Sequence, residues 1–224
     1  VVKDYQFKGW YEGVMKLTEH EKNLISANSS EVARDVFIFI LFTGMRRNEV
    51  LTLKWEDIDL KDKTFTVGKT KNHEGLRLPL TWILLDILER RKNDNGNPYV
   101  FEGEKPNSHL SPPKKQIEKA REIIGFHFTN HDLRRTFTTT AHRLNFGKYT
   151  LDRLINHKTE DSRDVTARYV ILDVEDLREP MNQITESIST VVFVAFVSIL
   201  VDRTYTASHY ALMASLATFG KNIF

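Results

Sequence analysis

The run from Val32 to Phe42 is apolar on every side of a helix except at Arg34 and Asp35. A helix of that kind has to be wrapped by other elements, because no face of it is suited to water. Asn28 followed by Glu31 supplies a capping box ahead of the run, and Gly44 after Thr43 supplies a stop. The spacing therefore predicts a buried helix ending near Thr43, around which the rest of the chain is organised.

The neighbouring segments read as mostly helical. A short helical stretch is expected from Glu49 to Trp55. Thr64 to Val67 and Leu76 to Leu78 alternate around the turn residues Asn72 to Gly75, which predicts a β-hairpin with Lys69 and Lys71 near its tip. Helical spacing returns at Ile83 to Arg91 and again from the cap at Ser111-Pro112 up to Gly125. Thr129 with Asp132 caps a helix running to about Leu144, and Thr150 caps a short one toward Asn156. Further helices are expected at Val165 to Tyr169 and Val174 to Ile184. The Asn, Pro, Gly and Ser-rich loop from Asn93 to Pro113 reads as an excursion. The fold class is mainly α with a small antiparallel β-sheet. Charges nearly vanish after Ser187, so residues 1–187 are expected to form one domain and residues 188–224 an apolar tail that packs against this domain or a neighbouring protomer, with a lean toward the neighbour.

Charge and composition narrow the function. The net charge is only +2, but residues 61–148 carry +7 between flanks of −2 and −3. Polyanion affinity comes from local clustering of Lys and Arg, so a phosphate-binding face and a plain solvated surface are both open on charge alone. The chain has no cysteine, which excludes disulfide scaffolds, thiolate metal sites and cysteine nucleophiles, and fits a reducing compartment. The longest apolar stretch, Val191 to Leu200, is shorter than a membrane span of about 20 residues, so no membrane association is expected. The chain starts without methionine, as a fragment of a longer protein would. His20-Glu21 and His73-Glu74 lack a second histidine at zinc-protease spacing, Gly68-Lys69-Thr70 lacks the first glycine of a Walker A loop, and no Gly-x-Ser-x-Gly elbow occurs.

Four separated pieces carry the chemistry: Thr43-Gly44-Met45-Arg46-Arg47-Asn48-Glu49, then Lys69 on the hairpin, then His131-Asp132-Leu133-Arg134, then Asn156-His157 followed by Arg168-Tyr169. His131 and Arg134 lie three apart on one helix, share a face and can approach one phosphate. Arg46, beside a glycine at a helix end, adds a second guanidinium. Two such forks stabilise the charge that accumulates on a five-coordinate phosphorus, with no metal or other cofactor required. Arg47 and Arg135 are rotated about 100° from their neighbours and are left out of the site. Glu49 reads either as an ordinary exposed carboxylate or as a group orienting a cation, His157 as a C-terminal cap or a phosphate donor, and Tyr169 alone as a core residue.

Together and in this order, the pieces resemble the catalytic domain of the tyrosine recombinase (phage integrase) family, over about Val32 to Met181. The resemblance implies that Tyr169 attacks a phosphodiester of double-stranded DNA to give a 3′-phosphotyrosyl link. Lys69, preferred over Lys71, protonates the departing 5′ oxygen, and Arg46, His131, Arg134 and His157 hold the phosphate. It also implies site-specific recombination (integration) in the cytoplasm by four protomers in a synaptic complex. The family's helical N-terminal clamp is not seen in this chain, which implies weak or nonspecific DNA binding. Residues Glu160 to Arg163 look like a small insertion before Tyr169. A type IB topoisomerase would share the chemistry, and a non-enzymatic DNA-binding accessory protein would lack at least one of the pieces.

Overall fold

The structure, a computed structural model, describes residues 6, 9–10, 13–15, 27–68, 75–92, 95–156 and 172–200, with only the backbone for 27–29, 124 and 192–200. The hairpin tip, the expected helix at Val165 to Tyr169, the insertion at Glu160 to Arg163 and the chain after Leu200 lie outside the described residues.

The buried helix is α1, Ala27–Thr43. It begins one residue before Asn28, whose backbone is already helical, so Asn28 is not the cap. Residues from Val36 to Phe42 are all buried. Phe39 meets Phe65 and Phe101 edge-on at 5.6 and 5.5 Å, and Phe37 meets Phe128 at 6.2 Å. These rings come from three other parts of the chain, so α1 is the axle of the core. The buried Asp35 carboxylate is held by Arg34 at 3.1 Å, Arg90 at 3.2 Å and Arg91 at 2.9 Å. A charge in an apolar helix needs such partners.

Gly44 ends α1 in a left-handed conformation, φ +64°. The next elements are the short helix α2, Arg47–Leu51, and a 3-10 turn at Trp55–Asp57. A sheet of β1 (Ile58–Asp59), β2 (Thr64–Val67) and β3 (Leu76–Pro79) follows, antiparallel in the order β1-β2-β3. Phe65 pairs with Leu78, the expected hairpin, and with Ile58 of β1. The two-residue β1 is too short to show alternation, so periodicity could not reveal it.

Helix α3 spans Trp82–Arg91. The Asn93 to Pro113 excursion is stitched to the domain rather than projecting from it. Trp55 donates to Pro98 at 3.0 Å, Val100 to Leu53 at 3.0 Å and Leu110 to Phe101 at 2.7 Å, all backbone, and Val100, Phe101 and Leu110 are buried. Helix α4, Lys114–Ile124, starts later than Ser111-Pro112 predicts because Pro113 disfavours helical backbone at Pro112. It stops at Gly125, φ +80°.

Helix α5, Asn130–Arg143, carries the predicted Thr129 and Asp132 capping box. Helix α6, Lys148–Leu154, starts at the Gly147 cap, so Thr150 lies inside it; Asn145, in the left-handed region, has already turned the chain. Helix α7, Val174–Leu200, runs through Ser187 without a break, and the fall in charge occurs within one helix. Leu177, Met181, Ile184 and Ile188 form its buried stripe, and Val191 packs against the same core. No helix among the described residues is long and apolar enough to cross a membrane.

Candidate functional site

Three elements converge on the end of α6. The left-handed turn at Gly44 sends the chain from α1 into α2, with Arg46 at the α2 N-cap position. Gly44 is required there twice over, by its positive φ and because an added Cβ would overlap the Phe137 ring. Phe137 is a buried residue of α5, so this overlap also reports how closely α5 approaches the turn.

That approach brings Arg134 of α5 beside Arg46. Arg134 Nη1 donates to the Gly44 carbonyl, and Arg134 Nη2 to the Ile155 carbonyl at 2.7 Å. Arg46 Nη1 donates to the next carbonyl along, that of Asn156, at 3.2 Å. Two successive carbonyls after α6 therefore each anchor one of the arginines. Asn156 has φ +50°, a conformation asparagine tolerates better than most residues. Each guanidinium keeps further N–H donors for a ligand.

Glu49, one turn beyond Arg46, accepts from the Arg46 backbone N–H at 2.8 Å and from Arg46 Nη1 at 3.2 Å. The Asn156 side-chain amide donates to Glu49 at 3.1 Å. Glu49 is thus not a bystander carboxylate; it is bonded to Arg46 and to the α6 turn. Burial pulls the Arg134 pKa below the usual arginine range, the adjacent Arg46 charge pushes it the same way, and Glu49 opposes both. Among the described residues one carboxylate, Glu49, serves these two neighbouring cations, an arrangement suited to receiving an anion.

Arg46, Glu49 and Arg134 line an open groove of about 820 Å³, with His131 and Thr138 on the same face of α5. Arg47 and Arg135 line it as well, contrary to the expectation that they turn away. The 100° rotation from Arg134 is real, but His131 is the better reference. Relative to His131, Arg134 lies about 60° to one side and Arg135 about 40° to the other. The structure also adds Asn156 and the Gly44 and Ile155 carbonyls, which sequence reasoning missed. Only the place of Asn156 directly before His157 could have pointed to it. Lys69, His157 and Tyr169 lie outside the described residues; Gly68, the neighbour of Lys69, comes close to Asn156, since its added Cβ would lie 3.9 Å from the Asn156 amide nitrogen.

Residues 14–175 match the model of the phage integrase family. The chain is 28% identical over 177 residues to the tyrosine recombinase XerA of Pyrococcus furiosus, covering 74% of this chain and 61% of that protein. It is 26% identical over 159 residues to the prophage integrase IntF of Escherichia coli K12, covering 68% of this chain and 32% of that one. The chain thus spans only part of the length of these relatives. Its fold is similar to that of the XerH site-specific recombinase crystallised with its difH substrate, with a TM-score of 0.55 at 23% identity over 77% of this chain and 50% of that one. The family match takes in the Gly44 turn, α5 and the α6 end, the parts that build the paired-arginine groove, and with most of the chain inside it the protein belongs to the phage integrase family of tyrosine recombinases.

Proposed function

We propose that this chain is the catalytic domain of an enzyme that breaks and rejoins double-stranded DNA by transesterification, in site-specific recombination. The observation that carries the reading is the anchoring of Arg46 and Arg134 on consecutive carbonyls, Asn156 and Ile155, at 3.2 and 2.7 Å. A pair of guanidiniums positioned in this way binds the two nonbridging oxygens of a phosphodiester and holds them more strongly as charge develops in the transition state.

In the proposed reaction the Tyr169 hydroxyl oxygen bonds to phosphorus as the bond from phosphorus to the 5′ oxygen breaks. His131 accepts the tyrosine proton and Lys69 supplies one to the departing oxygen. His157 donates to the phosphate, and Glu49 orients Arg46. The product is a 3′-phosphotyrosyl link, which a 5′ hydroxyl of a partner strand reverses. Each step exchanges one phosphodiester for another of similar energy, so no nucleotide triphosphate is consumed. The assembly proposed for the full reaction is four protomers on two DNA sites, in the cytoplasm. The DNA-bound XerH recombinase, whose fold this chain shares, supports duplex DNA as the partner.

The test is incubation with nicked suicide duplexes that carry candidate sites, followed by denaturing electrophoresis for a covalent protein–DNA band. The band is expected with the native chain in the presence of EDTA and is expected to vanish in Tyr169→Phe. A band that persists in that variant removes Tyr169 as nucleophile, and activity lost in EDTA and restored by magnesium points to different chemistry.

A further inference from the structure

The groove holds more positive charge than one phosphodiester needs. Four arginines line it, Arg46, Arg47, Arg134 and Arg135, against Glu49 as its one acidic residue among those described. Glu49 is already engaged by Arg46 through both side chain and backbone. Arg46 and Arg134 are tied to backbone carbonyls, whereas Arg47 and Arg135, which are exposed as Arg46 is, have no such anchor among the described contacts. Arg47 Nε donates to the Asn48 amide oxygen, a neutral group, at 3.3 Å.

These two arginines lie one on each wall. Arg47 follows Arg46 as the first residue of α2, and Arg135 follows Arg134 on α5, where it shares the stripe of His131 and Thr138. Each wall therefore presents one guanidinium anchored on a carbonyl and, one residue later, one exposed guanidinium without that anchor. A DNA strand brings a row of evenly spaced anions past any point that grips one of them. A single bound phosphate leaves this second pair idle; a duplex supplies partners for both.

Resting on the proposed DNA cleavage activity, we infer that Arg47 and Arg135 bind the backbone phosphates flanking the scissile one and add affinity without taking part in bond breaking. Phosphate contacts of this kind position the duplex and carry no sequence information.

The experiment measures binding of a short DNA duplex of arbitrary sequence as a function of salt, and cleavage of the nicked suicide duplex at saturating DNA. Each phosphate contact contributes about 0.9 to the slope of log affinity against log salt. Arg47→Gln and Arg135→Gln are each expected to lower that slope by about 0.9, and the double variant by about 1.8. Arg47→Lys and Arg135→Lys keep the charge and are expected to keep the slope. Cleavage at saturating DNA is expected to stay within a few fold of the native rate in all of them. A slope unchanged in the double glutamine variant, while the native chain still forms the covalent band, overturns this inference and leaves the cleavage reading standing. Loss of the covalent band in Arg135→Gln at saturating DNA also overturns it, because Arg135 would then hold the scissile phosphate itself. A native chain that neither binds the duplex nor forms the band overturns both.

Discussion

The Asn156 side-chain amide donates to Glu49 Oε1 at 3.1 Å, across 107 positions of sequence, and so closes a ring in which Glu49 holds Arg46 and Arg46 holds the Asn156 carbonyl. The ring joins the turn after α1 to the turn after α6. It depends on the left-handed backbone at Asn156, φ +50°.

That backbone requirement gives the first prediction. A β-branched residue in the left-handed region costs on the order of 1–3 kcal/mol, and relief of that strain would rotate both anchoring carbonyls. Asn156→Val is expected to lower the cleavage rate at saturating DNA at least about tenfold, a barrier increase of about 1.4 kcal/mol. Asn156→Gly keeps the turn and is expected to retain most of the rate, with thermal unfolding reporting that both variants fold. Equal rates in the two variants would remove the turn from any role in setting the arginines.

Gly44 makes a separate prediction about stability. Gly44→Ala would place a Cβ against the Phe137 ring at a positive φ, and the left-handed conformation alone costs about 1–2 kcal/mol. With overpacking against a buried ring the total is expected at about 2–4 kcal/mol. A denaturant titration reads this as a lower midpoint at constant slope. Because the Gly44 carbonyl accepts from Arg134, the variant is also expected to cleave more slowly than its stability loss explains.

Much of this arrangement was legible in the sequence, for identifiable reasons. The α1 helix announced itself by an apolar run, its stop by Gly44, and α5 by the Thr129 and Asp132 capping box, all of which are local signals. The facing of His131 and Arg134 followed from a three-residue spacing on one helix. What was not legible is non-local. Nothing near Ile155 or Asn156 says that their carbonyls face two arginines about a hundred residues and twenty residues away, respectively for Asn156 and Ile155. The place of Arg135 in the groove depends on its angle from His131, about 40°, and the 100° step from Arg134 does not show it. Strand β1 and the inward packing of Val100 and Phe101 depend on partners that periodicity does not see.

Arg134 is the arginine whose shape matters most. One guanidinium reaches the Gly44 and Ile155 carbonyls at once and still offers donors to a ligand, which a lysine ammonium on a flexible stem cannot reproduce. Arg134→Lys keeps the charge, so duplex affinity is expected to change only a few fold. The cleavage step is expected to slow by about 10²–10³, the usual loss when one donor to a developing oxyanion is removed. Single-turnover cleavage at saturating DNA separates the two effects; a rate close to native would mean that charge alone is enough at this position.

The proton delivered to the departing 5′ oxygen gives the last prediction. Lys69 and Lys71 lie two residues apart on the hairpin, and in a regular strand both would face the same side, so strand periodicity cannot choose between them. Gly68, at φ +71°, lies within reach of Asn156, which brings the end of β2 toward the arginine pair and favours Lys69, the next residue in sequence. General-acid catalysis contributes about 10²–10⁴-fold, so Lys69→Ala is expected to cleave ordinary DNA slower by that factor. A substrate with sulfur in place of the departing 5′ oxygen leaves as a thiolate and needs no proton. On that substrate Lys69→Ala is expected to approach the native rate, while Lys71→Ala is expected to be nearly normal on both. Sulfur rescue seen only in Lys71→Ala would transfer the acid role to Lys71, and a Lys69→Ala defect that sulfur does not relieve would leave Lys69 as a phosphate contact with no proton to give.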